Sequence, residues 1–389
     1  MDITIHPRPL RGEIQIIPSK SIAHRYLICA AFAGSPTTLI CPETNRDIEA
    51  TVDCLNALGA DIQRTDSGYA VDPISVIPKS AILNCHESGS TLRFMLPIAG
   101  ALGVDATFHM AGRLPQRPLS PLWEEMERMG CTLTRPTVDT IRCTGRLKSG
   151  EYIIDGGVSS QFITGLHFAT ALMAGNSQIT ITGTLESKPY VDMTEEALKI
   201  FDAPNFHSPG YIDVEGDWSN GAFFLAAQWL GSDLRISGLN QESLQGDRAV
   251  LEIQKALDAG MPTVSAQHIP DLVPILSVIA AAKHGGVFTD IRRLRLKESD
   301  RVASTIAMIE NLGGRAEADE NTLKIYGTGL FGGTVDAVND HRIAMAAAIA
   351  ATVCKEDVTI LGAECVKKSY PRFWEEYARL GGNYELNIR

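Results

Sequence analysis

The feature that most narrows the fold of this chain is an ending that recurs six times, in which a segment of helical apolar spacing closes on Gly or another small residue and passes into a short strand-like run. It stands at Leu55–Asp61, Met126–Thr132, Ile200–Pro204, Ala256–Met261, Ile309–Arg315 and Tyr377–Asn383. A Gly just past the last turn supplies the left-handed conformation that stops a helix. Intervals of roughly 55 to 72 residues mark an internal repeat. A second kind of helix alternates with the first. It opens on a polar cluster at Ser19-Lys20-Ser21, Glu87-Ser88-Gly89-Ser90, Ser159-Ser160-Gln161, Asp217-Trp218-Ser219-Asn220, Pro270-Asp271 and Asp340-His341-Arg342. Bodies such as Phe223–Trp229 and Ala344–Val353 are apolar on nearly every face, which marks buried helices. Each repeat thus combines one buried helix, one amphipathic helix and short strands, an α/β organisation.

Six repeats of about 65 residues suit two domains of three better than one solenoid, because a long solenoid needs polar caps at both ends. Reversals of the chain are expected near 17–18 and 212–214, giving one domain over 18–212 and a second built from 1–17 and 213–389. The third and fourth repeats are short of sequence, since Phe201–Asp217 and Ala259–Pro270 leave little room for extra strands.

Composition excludes several classes of function. A formal net charge of −11 argues against a nucleic-acid surface, which needs a positive field. The longest apolar run, between Asp271 and Lys283, is far short of the roughly 20 residues a membrane span requires. Met1–Ile17 alternates apolar and polar residues and carries no secretory pattern, so a cytoplasmic location is expected. Eight scattered cysteines without a Cys-x-x-Cys pair read as reduced thiols. Cys85-His86-Glu87 is a weak candidate for a reactive thiol, because geometry rather than adjacency makes a catalytic pair. The histidines show no ligand spacing, so neither a metal nor a cofactor is expected.

An anionic ligand must therefore be held by local basic clusters. Helices that open on Ser, Asp or Gly present free N–H groups and a positive dipole end, although each opening alone is better explained by simple capping. The coincidence with Lys and Arg adds weight. Lys20, Ser21 and, one turn later, Arg25 form a set able to clasp a phosphate or carboxylate. Arg117 precedes a proline in the loop Gly112–Pro121, which presents its guanidinium rigidly. Lys297, Glu298 and Arg301 are expected to follow an apolar strand and to lead directly into a helix. Arg342 runs into a buried helix, where a charge is costly unless used or paired.

Taken in order, Lys20-Ser21 with Arg25, Arg117-Pro118-Leu119, Ser159-Ser160-Gln161-Phe162, Ser187-Lys188-Pro189-Tyr190, Pro270-Asp271, Lys297-Glu298-Ser299-Asp300-Arg301, Asp340-His341-Arg342 and Lys368-Ser369-Tyr370-Pro371 closely resemble the 5-enolpyruvylshikimate-3-phosphate synthase family along essentially the whole chain. The resemblance implies a two-domain enolpyruvyl-transferase-like fold, an inside-out α/β barrel with three βαβαββ units per domain around buried parallel helices, and a site in the interdomain cleft. It implies transfer of the enolpyruvyl group of phosphoenolpyruvate to the 5-hydroxyl of shikimate 3-phosphate, by a monomer and without a metal. By the same resemblance Lys20, Ser21, Arg25, Ser159, Ser160, Gln161, Ser187, Tyr190, Asp271 and Lys297 bind shikimate 3-phosphate. Lys20, Gly89, Arg117, Gln161, Arg301, Arg342 and Lys368 hold phosphoenolpyruvate. Asp271, Glu298 and Lys20 are the catalytic groups, with Glu298 expected in a crowded, partly dry setting that favours the acid.

Four positions depart from the family's usual pattern. Ile17-Pro18 replaces Pro-Gly before Ser-Lys-Ser, Glu87 replaces an Asn, Arg293 stands where some members place a substrate-binding Asn, and Phe94 replaces a Pro. Two other readings compete with this one. UDP-N-acetylglucosamine enolpyruvyl transferases resemble the chain in fold, but they carry a cysteine in the loop before their Arg-Pro, whereas Gly112–Pro118 has none, and Lys-Asn where this chain has Lys20-Ser21. An inactive repeat protein binding an anionic metabolite would be free to lose Lys20, Asp271 or Glu298, and all are present.

Overall fold

The computed structural model describes residues 1–387. Twelve α-helices among the described residues follow in chain order: α1 (Lys20–Ala31), α2 (Arg46–Ala57), α3 (Gly89–Leu102), α4 (Leu122–Arg128), α5 (Ser160–Leu172), α6 (Lys188–Ile200), α7 (Trp218–Trp229), α8 (Val250–Ala259), α9 (Val273–Ala282), α10 (Arg301–Asn311), α11 (His341–Ala350) and α12 (Phe373–Arg379). The odd-numbered helices are buried on almost every turn, as their apolar bodies require. The even-numbered ones bury one face. In α2, Ile48, Thr51, Cys54 and Leu55 point inward while Glu49, Asp53 and Asn56 face solvent, which is the spacing of an amphipathic helix.

The chain divides into two compact units, a middle one over Pro18–Glu215 and an outer one made of Met1–Ile17 and the chain from Gly216 onward. Each unit has its own continuous apolar core. Each contains, among the described residues, two four-stranded sheets and one two-stranded sheet. The pattern follows from what comes after each even-numbered helix. After α2, α4 and α10 the chain makes an antiparallel hairpin: Asp61–Thr65 with Gly68–Asp72, Cys131–Thr137 with Thr140–Gly145, and Arg315–Ala318 with Thr322–Tyr326. After α12 the described residues contain one strand, Asn383–Asn387, and the hairpin partner is supplied by Asp2–His6 from the chain start, paired Ile3 to Leu386 and, on its other edge, Ile3 to Ile360. That substitution places the first residues in the outer unit.

The third and fourth repeats are indeed short. After α6 and α8 the chain makes single strands, Tyr211–Asp213 and Thr263–Ser265, each added in parallel to a neighbouring repeat's sheet. The two-stranded sheets, Glu151–Asp155 with Gln178–Thr182 and Arg11–Gln15 with Asp233–Ser237, belong to these repeats.

Two local expectations are corrected. Gly260, after α8, has φ 169°, so it is extended and does not supply a left-handed stop. The residues before Lys297 are not a strand: the strand ends at Thr289 and Arg292–Leu296 is a 3₁₀ turn. Ile291 and Leu294, spaced by three, are both fully buried, and that is the period of a 3₁₀ helix rather than of a strand. No helix among the described residues is long and apolar enough to cross a membrane.

Candidate functional site

In the middle unit, α1 begins at Lys20, whose ammonium donates to Asp47 Oδ2 at 2.8 Å. Asp47 is held at the first turn of α2, where the Asn45 side chain accepts the N–H groups of Asp47 and Ile48. Arg25, one turn into α1 and 2% exposed, threads between helices. Its Nε donates to Thr194 Oγ1 at 2.9 Å, Nη1 to the Ser21 carbonyl at 2.6 Å and Nη2 to the Tyr190 carbonyl at 2.7 Å. The guanidinium lies 5.4 Å from the centroid of the Phe94 ring. Burial lowers its pKa to about 10. His24 beside it is buried and contacts Thr51 Oγ1 at 2.7 Å, and Thr51, Thr91 and Ser88 continue a run of hydroxyls to the cap of α3. Burial first, then the charges of Lys20 and Arg25, push the His24 pKa well below its ordinary value.

The openings of α3 and α5 are joined by Arg93, which donates to the Gly89 carbonyl at 3.3 Å, Gln161 Oε1 at 3.1 Å and the Pro118 carbonyl at 3.0 Å. Gln161 Nε2 in turn donates to Ser90 Oγ at 2.9 Å. This close meeting depends on Gly165 of α5, where a Cβ would fall 2.2 Å from the Arg93 carbonyl oxygen. Gly89 is similarly enclosed: a Cβ there would lie 2.6 Å from Nη1 of both Arg93 and Arg117, so the Arg117 guanidinium is packed onto the helix opening. Ser159 caps α5 by accepting the Gln161 N–H, Ser160 is buried, and Ser187, also buried, opens α6 at φ 55°. Tyr190 enters the set through its carbonyl, which accepts from Arg25 Nη2.

In the outer unit the cations are gathered around carboxylates. Arg301, 1% exposed, donates from Nε to Asp340 Oδ2 at 3.0 Å, from Nη1 to Asp271 Oδ1 at 2.7 Å and from Nη2 to Glu298 Oε2 at 2.7 Å. Arg342 donates from Nη1 to the Ser219 carbonyl at 3.0 Å and from Nη2 to Asp271 Oδ2 at 3.4 Å. Lys297 Nζ stands 3.5 Å from Asp271 Oδ1. Asp271 therefore touches three cations. Burial works against the charged forms of Arg301 and Arg342, but the surrounding carboxylates outweigh it and both pKa values are raised. For Lys297 burial prevails over Asp271 and the pKa is lowered. Glu298 is 30% exposed and its Oε2 accepts from Arg301 Nη2. Lys368 donates to the Asn339 carbonyl at 3.0 Å, next to the Asp340 cap of α11.

The middle unit thus brings Lys20, Ser21, Arg25, Gly89, Arg117, Ser159, Ser160, Gln161, Ser187 and Tyr190 onto the openings of α1, α3, α5 and α6, and the outer unit gathers Asp271, Lys297, Glu298, Arg301, Arg342 and Lys368. Sequence reading missed Asp47, Arg93 and the Thr164–Thr194 pair behind Arg25. Arg93 had a signal, since it falls one turn after Gly89 on the same helix face. Asp47 had none, because all of α1 and the strand Thr37–Ile40 lie between it and Lys20 in the chain.

Each unit on its own presents cations at the openings of buried helices, the construction of an enzyme that handles multiply charged anions. The family model for EPSP synthase (3-phosphoshikimate 1-carboxyvinyltransferase) matches residues 5–377, and the chain belongs to that family. Among curated relatives, the 3-phosphoshikimate 1-carboxyvinyltransferases of Clostridium kluyveri and Clostridium acetobutylicum are 36% and 38% identical, over 98% of this chain and 98% and 97% of theirs. Among solved structures, an EPSP synthase from Acinetobacter baumannii superposes with a TM-score of 0.80 at 22% identity, covering 100% of both chains. The enolpyruvyl transferase NikO from Streptomyces tendae superposes with a TM-score of 0.74 at 18% identity, over 99% of this chain and 98% of that one. The shared fold is thus a mixed α/β, two-domain enolpyruvyl-transferase fold. It does not by itself choose among transferases, whereas the family match does.

Proposed function

We infer that this chain catalyses the reaction of its family, the transfer of the carboxyvinyl group of phosphoenolpyruvate to the 5-hydroxyl of shikimate 3-phosphate, with release of phosphate, in the shikimate pathway of aromatic amino-acid biosynthesis. The observation that carries it is the family match at 36–38% identity over nearly the full length of both partners. The roles of individual residues are our proposal. Lys20, Ser21, Arg25, Ser159, Ser160, Gln161, Ser187, Tyr190, Asp271 and Lys297 take shikimate 3-phosphate. Lys20, Gly89, Arg117, Gln161, Arg301, Arg342 and Lys368 take phosphoenolpyruvate.

In this scheme the 5-hydroxyl adds to C2 of phosphoenolpyruvate while C3 gains a proton, giving a tetrahedral ketal phosphate that then loses phosphate and a C3 proton. Asp271 accepts the hydroxyl proton, and Glu298 and Lys20 serve the proton at C3. The three cations on Asp271 support this reading. They hold its carboxylate in place, and they can turn toward a substrate phosphate or carboxylate without moving a charge out of a polar setting. Lys and Arg also supply the positive charge that the developing anion requires. We place the reaction in the cytoplasm, a location supported by the eight cysteines, all free thiols and all buried.

The test is phosphate release from phosphoenolpyruvate. It is expected to depend on shikimate 3-phosphate and to be unaffected by a chelator. Release without the second substrate, or none with it, would overturn the assignment.

A further inference from the structure

Asp247 lies outside every motif singled out above. It sits in the 3₁₀ turn Gly246–Ala249, is 2% exposed and forms no ion pair among the described residues. The Ser219 hydroxyl donates to its Oδ2, while its Oδ1 is buried without a hydrogen-bond partner. Ser219 is in the first turn of α7, and its carbonyl is the acceptor for Arg342 Nη1 at 3.0 Å. A continuous run of contacts therefore leads from Asp247 through Ser219 to Arg342 and on to Asp271 at 3.4 Å.

A buried carboxylate with one oxygen unsatisfied and no cation paired to it is expensive, and the proton is the cheapest remedy. The groups facing Asp247 agree. Asp217 at the cap of α7 and Asp271 before α9 disfavour a further negative charge; Arg342 on α11 favours one. Glu252 and Lys255 on α8 are exposed and paired with each other, and Arg248 donates to the Gln241 carbonyl. Burial first, then Asp271, raise the Asp247 pKa to about 7.

We propose that Asp247 is a positioning residue of the phosphoenolpyruvate site: as a neutral carboxylic acid it fixes Ser219, and through the Ser219 carbonyl it aims Arg342, leaving the guanidinium's charge for the incoming anion. The proposal rests on the assignment of Arg342 to phosphoenolpyruvate. When Asp247 ionises, Arg342 faces a third carboxylate beside Asp271 and Asp217, and the substrate must compete with one more negative charge for the guanidinium.

The experiment is KM for phosphoenolpyruvate and kcat, below and above pH 7, for the wild type, Asp247→Asn, Asp247→Leu and Arg342→Lys. In the wild type KM should rise severalfold across that pH with little change in kcat. Asp247→Asn keeps a neutral acceptor for Ser219 and should hold KM near its low-pH value throughout; the substrate's own ionisation is common to both proteins and cancels. Asp247→Leu removes the acceptor and should raise KM by roughly tenfold at every pH, the loss expected for one anchoring hydrogen bond. The same alkaline rise in Asp247→Asn as in the wild type, or an unchanged KM in Asp247→Leu, overturns the proposal. Arg342→Lys separates the two levels: if it leaves KM unchanged, the assignment of Arg342 is wrong, whatever Asp247 does.

Discussion

Arg301 and Asp271 meet at 2.7 Å, and the same guanidinium holds Glu298 at 2.7 Å, so one buried arginine orients both carboxyl groups to which we assign proton transfer. Its third partner, Asp340, is fully buried, caps α11 and also accepts from Ser299 Oγ at 2.9 Å. Removing the cation leaves Asp340 charged and buried. Arg301→Ala should therefore cost about 3–5 kcal/mol of stability, the range for breaking one side of a buried pair. Urea unfolding measures this. A loss below about 1 kcal/mol would show that Asp340 finds other compensation.

Glu298→Gln keeps the shape of the side chain and a contact to Arg301 but removes the acid. Turnover should fall by roughly 10²–10⁴-fold while both substrates still bind. Rapid-quench kinetics with calorimetry of each substrate separates the two effects. Unchanged turnover would take Glu298 out of the proton path.

Phe94 stands under Arg25 and packs on Phe168, with ring centroids 5.9 Å apart. Phe94→Ala should lose about 3–5 kcal/mol from the core of the middle unit. It should also raise KM for shikimate 3-phosphate, because the ring fixes the plane of the Arg25 guanidinium. A variant as stable as the wild type, or one with an unaltered KM, would contradict this packing role.

His24 gives a stability effect with a defined sign. Its pKa is depressed in the folded protein below the ordinary 6.5, so below that pH the unfolded chain binds a proton that the folded one does not. The cost is absent above pH 6.5 and grows as the pH falls, at up to about 1.4 kcal/mol per pH unit, until the folded imidazole itself protonates. His24→Asn, which cannot titrate there, should show a shallower acid limb in urea midpoints than the wild type. Parallel limbs would mean that His24 is not buried as a neutral ring.

Much of the architecture was legible in order along the chain. The alternation of wholly apolar and one-faced segments identified buried and amphipathic helices, since helical periodicity is a local property carried by residues three and four apart. The scarcity of residues around Phe201–Asp217 and Ala259–Pro270 likewise showed that two repeats lack a hairpin. The 3₁₀ turn at Arg292–Leu296 was missed because Leu294 and Leu296 alternate with arginines, the pattern of a half-buried strand. The extended Gly260 was missed because glycine permits several conformations and only the neighbouring chain selects one.

The sequence by itself determined which helices would be buried, where their polar openings fall and which cations stand there, because each of these is written within one or two turns. Tertiary structure alone decided the partners: Asp47 for Lys20, Thr194 and Phe94 for Arg25, Gln161 for Arg93, and Ser219 with Asp271 for Arg342. Those contacts join residues from 27 to 169 positions apart for the first two hydrogen bonds named, and up to 123 for Arg342 with Ser219. No local pattern encodes such pairings. They arise when buried charges must each find a partner in a low-dielectric core and the packing of the helices, close enough at Gly165 to bar a side chain, leaves them few to choose from.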